Sequence, residues 1–359
     1  MKIAAIEEYL EGFEVNDSST ASSTISVGET ELKPDITIYA NGSFLKDKNK
    51  VDFAALEMSI ELKRNKSYDP FSDAENTPFE KCTEDALSMR GQITAYATAQ
   101  LGKQFCHFAF SVVIVGKMVH ILHWDCSGAV VSRAFDYVQN PELLVQFFQR
   151  FASQTHEGRG WDPSVTRIDE TCLPRSIPSL EIITVACNVL DLKFDSSIFL
   201  IQVQALDNSS TANGPDFCYY IGGRPPCPYS LIGRSMRAWQ VFNLVTKWVV
   251  FLKDTWRINT DDIDPEGETY CKLHDHDVPN IAMVKASGDV GHRTVTQSLT
   301  HEPWSKVKET ITGHIHYRLV LKEVGNQLDK FRCTRELVTT VRDSIRGMGP
   351  LAIPLRDSC

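Results

Sequence analysis

The chain has 359 residues, a formal net charge of −9 at pH 7, 42% hydrophobic and 23% charged residues. That length leaves room for two domains, and the acidic balance weighs against a broadly basic nucleic-acid-binding surface. Its ten cysteines show no CxxC pairs and read as reduced, mostly buried thiols of an intracellular protein, cytoplasmic or nuclear. No apolar run approaches the length of a membrane span, and residues 1–13 (MKIAAIEEYLEGF) are too acidic for a signal peptide, so no membrane association is expected.

A short helical start leads into VNDSSTASSTISVGET (15–30), a Ser/Thr-rich stretch of loop composition. LKPDITIYA (32–40) alternates as a strand, NGSFLKDKNK (41–50) is a polar turn, and AALEMSIELKRN (54–65) reads as a second strand beside the first. From about Glu80 to Leu101 the periodicity is helical, with Leu87, Gly91, Thr94, Ala95 and Ala99 on a narrow small-residue face. Strands are predicted at 105–116, 117–125 and 128–137. PELLVQFFQRFASQ (141–154) is an amphipathic helix with Pro in its first turn and Phe147, Phe148 and Phe151 on its core face. The prolines and charges of 156–179 mark a linker. They divide a domain at 32–155 from one at 180–348, with an N-terminal segment at 1–31 and a tail at 349–359.

The second half opens with a helix in EIITVACNVLDL (181–192). Strands SIFLIQVQAL (197–206) and FCYYIGG (217–223) flank the loop DNSSTANGPD (207–216), and RPPCPYS (224–230) is a turn. Then come LIGRSMRAWQVFNLV (231–245), the strand VVFLKDTWR (249–257), a short helix in DPEGETYCKLH (264–274) and VPNIAMVKASG (278–288). HYRLVLKEVGNQLDKF (316–331) runs from a strand into a linker, and TRELVTTVRDSIRGM (334–348) is a helix. The histidines of HDHD (274–277) and HIH (314–316) read as solvated loop residues, and Trp239, Trp248 and Trp256 as core or strand packing.

Lys253 stands in the middle of an apolar strand, where a cation needs an anionic partner. A glycine turn, a strand, the lysine strand, an acidic helix, further strands and a linker follow one another. That order suits a protein-kinase small lobe: glycine lets backbone amides approach phosphates, the lysine holds phosphate charge, and a helical glutamate orients the lysine. The parts here would be Gly233, Lys253, and Glu268 in preference to Glu266. The strings PEGETYCKLH, VFLKDTWR, RLVLKEVG, RGQITAYATAQLG, FSVVIVG and WDCSGAVV resemble the fungal-type protein kinase family, from about Leu32 to about Arg346. The resemblance implies ATP-dependent phosphotransfer, ATP and magnesium as cofactors, Lys253 as the phosphate-pairing lysine, and residues 321–325 as the linker beside an adenine pocket. The 359 residues contain no His-Arg-Asp and no Asp-Phe-Gly, so the kinase domain reads as cut short before its catalytic loop and catalytically incomplete.

The first half carries a second constellation. Asp35 enters one strand, Glu61 and Lys63 share a face of the next, and Gln92 and Tyr96 lie on the following helix. Two carboxylates with a lysine can hold a divalent cation through hard oxygen ligands, the lysine acting as a catalytic partner and not as a ligand. This pattern resembles the PD-(D/E)XK nuclease superfamily, with the helical QxxxY similar to its RecB-like branch. The expected fold is a nuclease-like α/β domain, a mixed sheet with flanking helices, followed by an α+β kinase small-lobe-like domain. Three functions compete: an incomplete phosphotransferase of the kinase group, a metal-dependent nuclease-like or DNA-binding module in the first half, and a non-catalytic scaffold for protein partners.

Overall fold

The computed structural model describes residues 6–23, 25–27, 30–43, 50–168, 179–192, 197–206, 216–227, 230–306, 310–326 and 328–348. Most of the polar turn at 41–50, residues 169–178 of the linker, nearly all of the DNSSTANGPD loop and the 349–359 tail lie outside them. The chain forms two compact units. The first comprises Met1–Pro163, Pro225–Arg237 and His292–Ile315; the second comprises Ser164–Arg224, Ala238–Gly291 and His316–Cys359. The break after Pro163 falls within the expected linker at 156–179. Two later segments return to the first unit, so the units interleave along the sequence.

The first unit is built on a mixed sheet of β1 (Phe13–Asp17), β2 (Ile36–Ala40), β3 (Leu56–Lys63), β4 (Ala109–Val115), β5 (Met118–Asp125) and β6 (Gly128–Val131) in that spatial order, with β7 (Phe135–Asp136) also pairing β5. β2 lies antiparallel to β3, with Ile36 opposite Ile60 and Thr37 opposite Ser59. β3 and β4 are parallel, with Glu61 opposite Val113, which requires a crossover. Helix α1 (Glu84–Lys103) supplies it. Thr83 caps α1 by accepting from the Ala86 N–H, and Glu84 and Asp85 in the first turn and Lys103 in the last complement the helix dipole. Met89, Ile93 and Ala97 of α1 pack on Val113, Val115, Leu122 and Trp124. The opposite sheet face carries Ile38, Met58, Ile60, Val112 and Ile114 beneath Leu144, Phe148 and Phe151 of α2 (Pro141–Ser153), so the three phenylalanines lie on the core side as the periodicity indicates. β1 falls where a loop is expected from residue 15 on. It is an edge strand with one buried side chain, Val15, too few to give an alternating signal.

The second unit is built on an antiparallel sheet in the order β8 (Val165–Arg167), β9 (Phe199–Gln204), β10 (Phe217–Gly222), β11 (Arg237–Asn243), β12 (Val249–Ile258), β14 (His314–Leu321) and β13 (Val284–Arg293). Helix α3 (Leu180–Val189) packs Ile183, Ala186 and Cys187 on Leu200, Ile221 and Phe242. Helix α4 (Glu266–Asp275) follows β12, and Tyr270 packs on Val284, Tyr317 and Leu319. β14 is buried at all eight positions, so His314 and His316 are core residues and not solvated loop histidines. His316 Nε2 meets Asp254 Oδ1 at 2.5 Å and Arg318 Nε meets Asp254 Oδ2 at 3.4 Å. The strand can bury this polar pair because Asp254 on the neighbouring strand meets both side chains. His274 and His276 remain exposed at the end of α4. Trp256 is buried, whereas Trp248 is 64% exposed, so the core reading of the tryptophans fails at Trp248. Helix α5 (Thr334–Met348) follows β14. Of the eight described cysteines, Cys126 and Cys187 are buried and Cys82, Cys271 and Cys333 are exposed. The expectation of mostly buried thiols is therefore corrected; the exposed ones sit in a turn, on an outer helix position and in a loop, where no core claims them.

Candidate functional site

Asp35, Glu61 and Lys63 lie in the first unit and Lys253, Glu266 and Glu268 in the second, whereas Gly233 lies in the first. In the first unit, β2 and β3 bring Asp35, Glu61 and Lys63 together. Asp35 Oδ2 accepts from the Leu62 N–H at 2.7 Å, and Lys63 Nζ meets Glu61 Oε1 at 2.5 Å. Glu61 is 3% exposed, and its second oxygen, Oε2, has no hydrogen-bond partner among the described residues. Burial, reinforced by the charge of Asp35, pushes the Glu61 carboxyl up to about 7 despite its bond to Lys63.

Helix α1 completes this site through a polar ridge with one side chain per turn. Gln92 donates to the Tyr96 hydroxyl at 2.6 Å, and that hydroxyl donates to the Lys33 carbonyl at 2.7 Å. Burial, followed by the charge of Glu61, pushes the Tyr96 phenol up. Gln100 Nε2 donates to the carbonyls of Leu56 and Glu57, and Gln104 Nε2 to those of Phe53 and Leu56. The ridge continues the QxxxY spacing by two more turns, at positions 100 and 104. That continuation was available in the sequence as a glutamine every fourth residue. Glu57 is a buried carboxylate that the motif does not mark; Arg159 and Trp161 bind it at 2.9 and 3.2 Å.

In the second unit Lys253 on β12 meets the first turn of α4. Its Nζ lies 2.5 Å from Glu266 Oε1, with the lysine side chain 18% exposed. Glu268 is exposed, so the glutamate preferred from sequence gives way to the other one considered. Gly267 accounts for the choice. Its N–H donates to the Tyr317 hydroxyl at 2.9 Å, and a Cβ there would stand 2.3 Å from Ser287 Oγ. The helix start therefore presses onto the sheet at Gly267 and turns its immediate neighbour Glu266 towards β12. Glu268, two positions beyond Glu266, points to another side of the helix.

Gly233 lies in the connection from β10 to β11 with φ +96°, a left-handed conformation suited to glycine. Its N–H donates to the Cys126 carbonyl at 2.9 Å within the first unit. That amide is committed to protein and is not offered to a phosphate. Leu231, two residues earlier, packs with Trp124 and Leu122 of the same unit.

No helix is long and apolar enough to cross a membrane among the described residues. No curated protein matches the chain. The sequence pattern of the family described as fungal protein kinase matches residues 50–353, a span that takes in Lys253, Glu266, Glu61 and Lys63 and leaves out Asp35. With the match covering most of the 359 residues, the chain belongs to the fungal protein kinase family.

Proposed function

We propose that the second unit binds the phosphates of a nucleoside triphosphate through Lys253, oriented by Glu266, and that these 359 residues do not themselves complete phosphoryl transfer. The observation that carries the binding half is the Lys253–Glu266 pair at 2.5 Å, on a strand-to-helix connection of the kind a kinase small lobe uses. The glutamate fixes the ammonium at one place above the sheet, so a phosphate oxygen can share it without the lysine being ordered anew. ATP fits that donor. The 359 residues contain no Asp-Phe-Gly, whose aspartate would hold magnesium, and no His-Arg-Asp, whose aspartate would act as the base. No transfer step is therefore assigned. Titration with a fluorescent ATP analogue tests the reading: Glu266→Gln should weaken binding and Glu268→Gln should leave it unchanged. Equal weakening by both would remove the assigned pairing.

A second reading belongs to the first unit and is favoured by the unpartnered Glu61 Oε2 beside Asp35. Here Asp35 and Glu61 would hold a divalent cation, supplying Lewis-acid charge to a phosphodiester, with Lys63 as the partner cation, as the PD-(D/E)XK likeness implies. Calorimetry with manganese, followed by DNA cleavage assays on wild type and Glu61→Ala, tests it. Metal-dependent cleavage lost on substitution supports a nuclease; metal binding without cleavage supports a cation site alone. The absence of both leaves a structural acid–lysine cluster and the scaffold role.

A further inference from the structure

At the far edge of the first unit's sheet, β6 pairs with β5 and, among the described residues, with no other strand. Ser132 N–H donates to the Ile121 carbonyl, just past the end of β6. Antiparallel bonding alternates, so Val130 turns its N–H and C=O towards β5, while Ala129 and Val131 turn theirs outwards. Free edges of this kind are templates for another strand.

Alongside that edge runs a cavity of about 370 Å³, within the usual range for a binding pocket. One wall is the consecutive stretch Ala129, Val130, Val131, Ser132 and Arg133; the other is the segment bearing Thr296, Leu299 and Trp304. A cavity that follows five successive residues, Ala129 to Val131 of β6 and the two residues beyond its end, has the form of an extended chain. The opposite wall is fixed within the same unit. Asp125 Oδ2 accepts from the N–H groups of Val295 and Thr296 at 2.9 and 3.0 Å, and Ser127 Oγ donates to Thr294 Oγ1 at 2.8 Å.

The chemistry of the walls narrows the occupant. Trp304 is 52% exposed, Leu299 is half-buried beside it, and Phe79 supplies a further apolar surface. Thr296 is 4% exposed, yet its hydroxyl has no hydrogen-bond partner among the described residues. Lys306 donates to the carbonyls of Ser72 and Ala74, and neither it nor Arg133 has a carboxylate partner among the described residues. Asp73, also in the wall, is engaged by the Ala134 N–H at 2.7 Å. We infer that this slot is a docking site for an extended segment of a partner protein, with apolar and acidic residues alternating, which adds a strand to β6. Main-chain bonds to Ala129 and Val131 would hold it, apolar side chains would meet Leu299 and Trp304, and carboxylates would face Arg133 and Lys306.

Fluorescence anisotropy on the full chain with labelled, blocked peptides tests the inference without knowledge of the natural partner. The probes are an alternating Glu-Val hexapeptide, its Lys-Val counterpart, and two Glu-Val peptides N-methylated at odd or even amides. Saturable one-to-one binding of the Glu-Val peptide is expected, weakened about tenfold by one methylation pattern and by Lys-Val. Trp304→Ala and Val131→Pro should weaken it as well. Should Val131→Pro fail to fold, the methylated peptides decide the matter on the wild-type chain. Equal binding of both methylated peptides, or no saturable binding of Glu-Val at about 1 mM, overturns the proposal.

Discussion

In the first unit Glu61 meets Lys63 two residues along its own strand, and the glutamate is almost fully buried. In the second, Lys253 meets Glu266 from strand to helix, and both side chains keep some contact with solvent. The difference lies in which charge carries the desolvation. Burial, reinforced by the charge of Asp35, raises the Glu61 carboxyl to about 7. Lys253 is held at the sheet by Glu266, whose side chain is itself partly open to solvent. The same pair of residue types thus stands in two different charge environments, and the two readings proposed above give them ligands of opposite sign.

The sharpest way to break this comparison is to remove a cation that serves neither site. Arg318→Met takes the guanidinium away from Asp254, with arginine at 0% and aspartate at 1% exposure. A loss of about 3–5 kcal/mol in denaturant unfolding is expected, because a buried carboxylate is left short of its counter-charge. A loss under about 1 kcal/mol would mean that the Asp254 network is not structural.

Next in size is the pH dependence of Glu61. A carboxyl whose folded pKa is raised opposes folding once pH exceeds its unfolded value. The penalty therefore grows between pH 4.5 and about 7 and is constant above that window. Glu61→Gln removes it. The variant should gain stability relative to wild type from pH 5 to pH 8, by up to an amount on the order of 3 kcal/mol. Paired unfolding curves at the two pH values check this, and a difference that does not change with pH would show that Glu61 is not held protonated.

A smaller effect is expected where charge is untouched. Gly267→Ala puts a methyl against Ser287 and Tyr317, so α4 must lift and carry Glu266 away from Lys253. Nucleotide binding should fall about tenfold while the fold survives. Unchanged binding would break the argument that Gly267 sets the pairing. Smallest of all is Glu268→Gln, an exposed substitution expected to change stability by no more than about 0.5 kcal/mol.

Much of this was readable before the fold. AALEMSIELKRN shows Glu61 and Lys63 on one strand face, and VVFLKDTWR shows a lysine needing an anion; both sites follow from period-two alternation. The helix TRELVTTVRDSIRGM lies where its sequence pattern sets it, at Thr334–Met348. What stayed hidden depends on contacts distant in sequence. The choice of Glu266 rests on Gly267 touching Ser287 and Tyr317, 20 and 50 positions on. Burial of His316 rests on Asp254, and the return of residues 225–237 and 292–315 to the first unit rests on bonds such as Gly233 to Cys126 and Thr296 to Asp125. No local periodicity encodes those.

The most direct test compares the two lysines in one assay. Wild type, Lys253→Met and Lys63→Met are titrated with a fluorescent ATP analogue, with melting curves confirming that each variant is folded. The account predicts saturable binding by wild type and Lys63→Met, and a loss of about tenfold or more in Lys253→Met. Binding kept in Lys253→Met and lost in Lys63→Met would contradict it, moving the phosphate site from the second unit to the first.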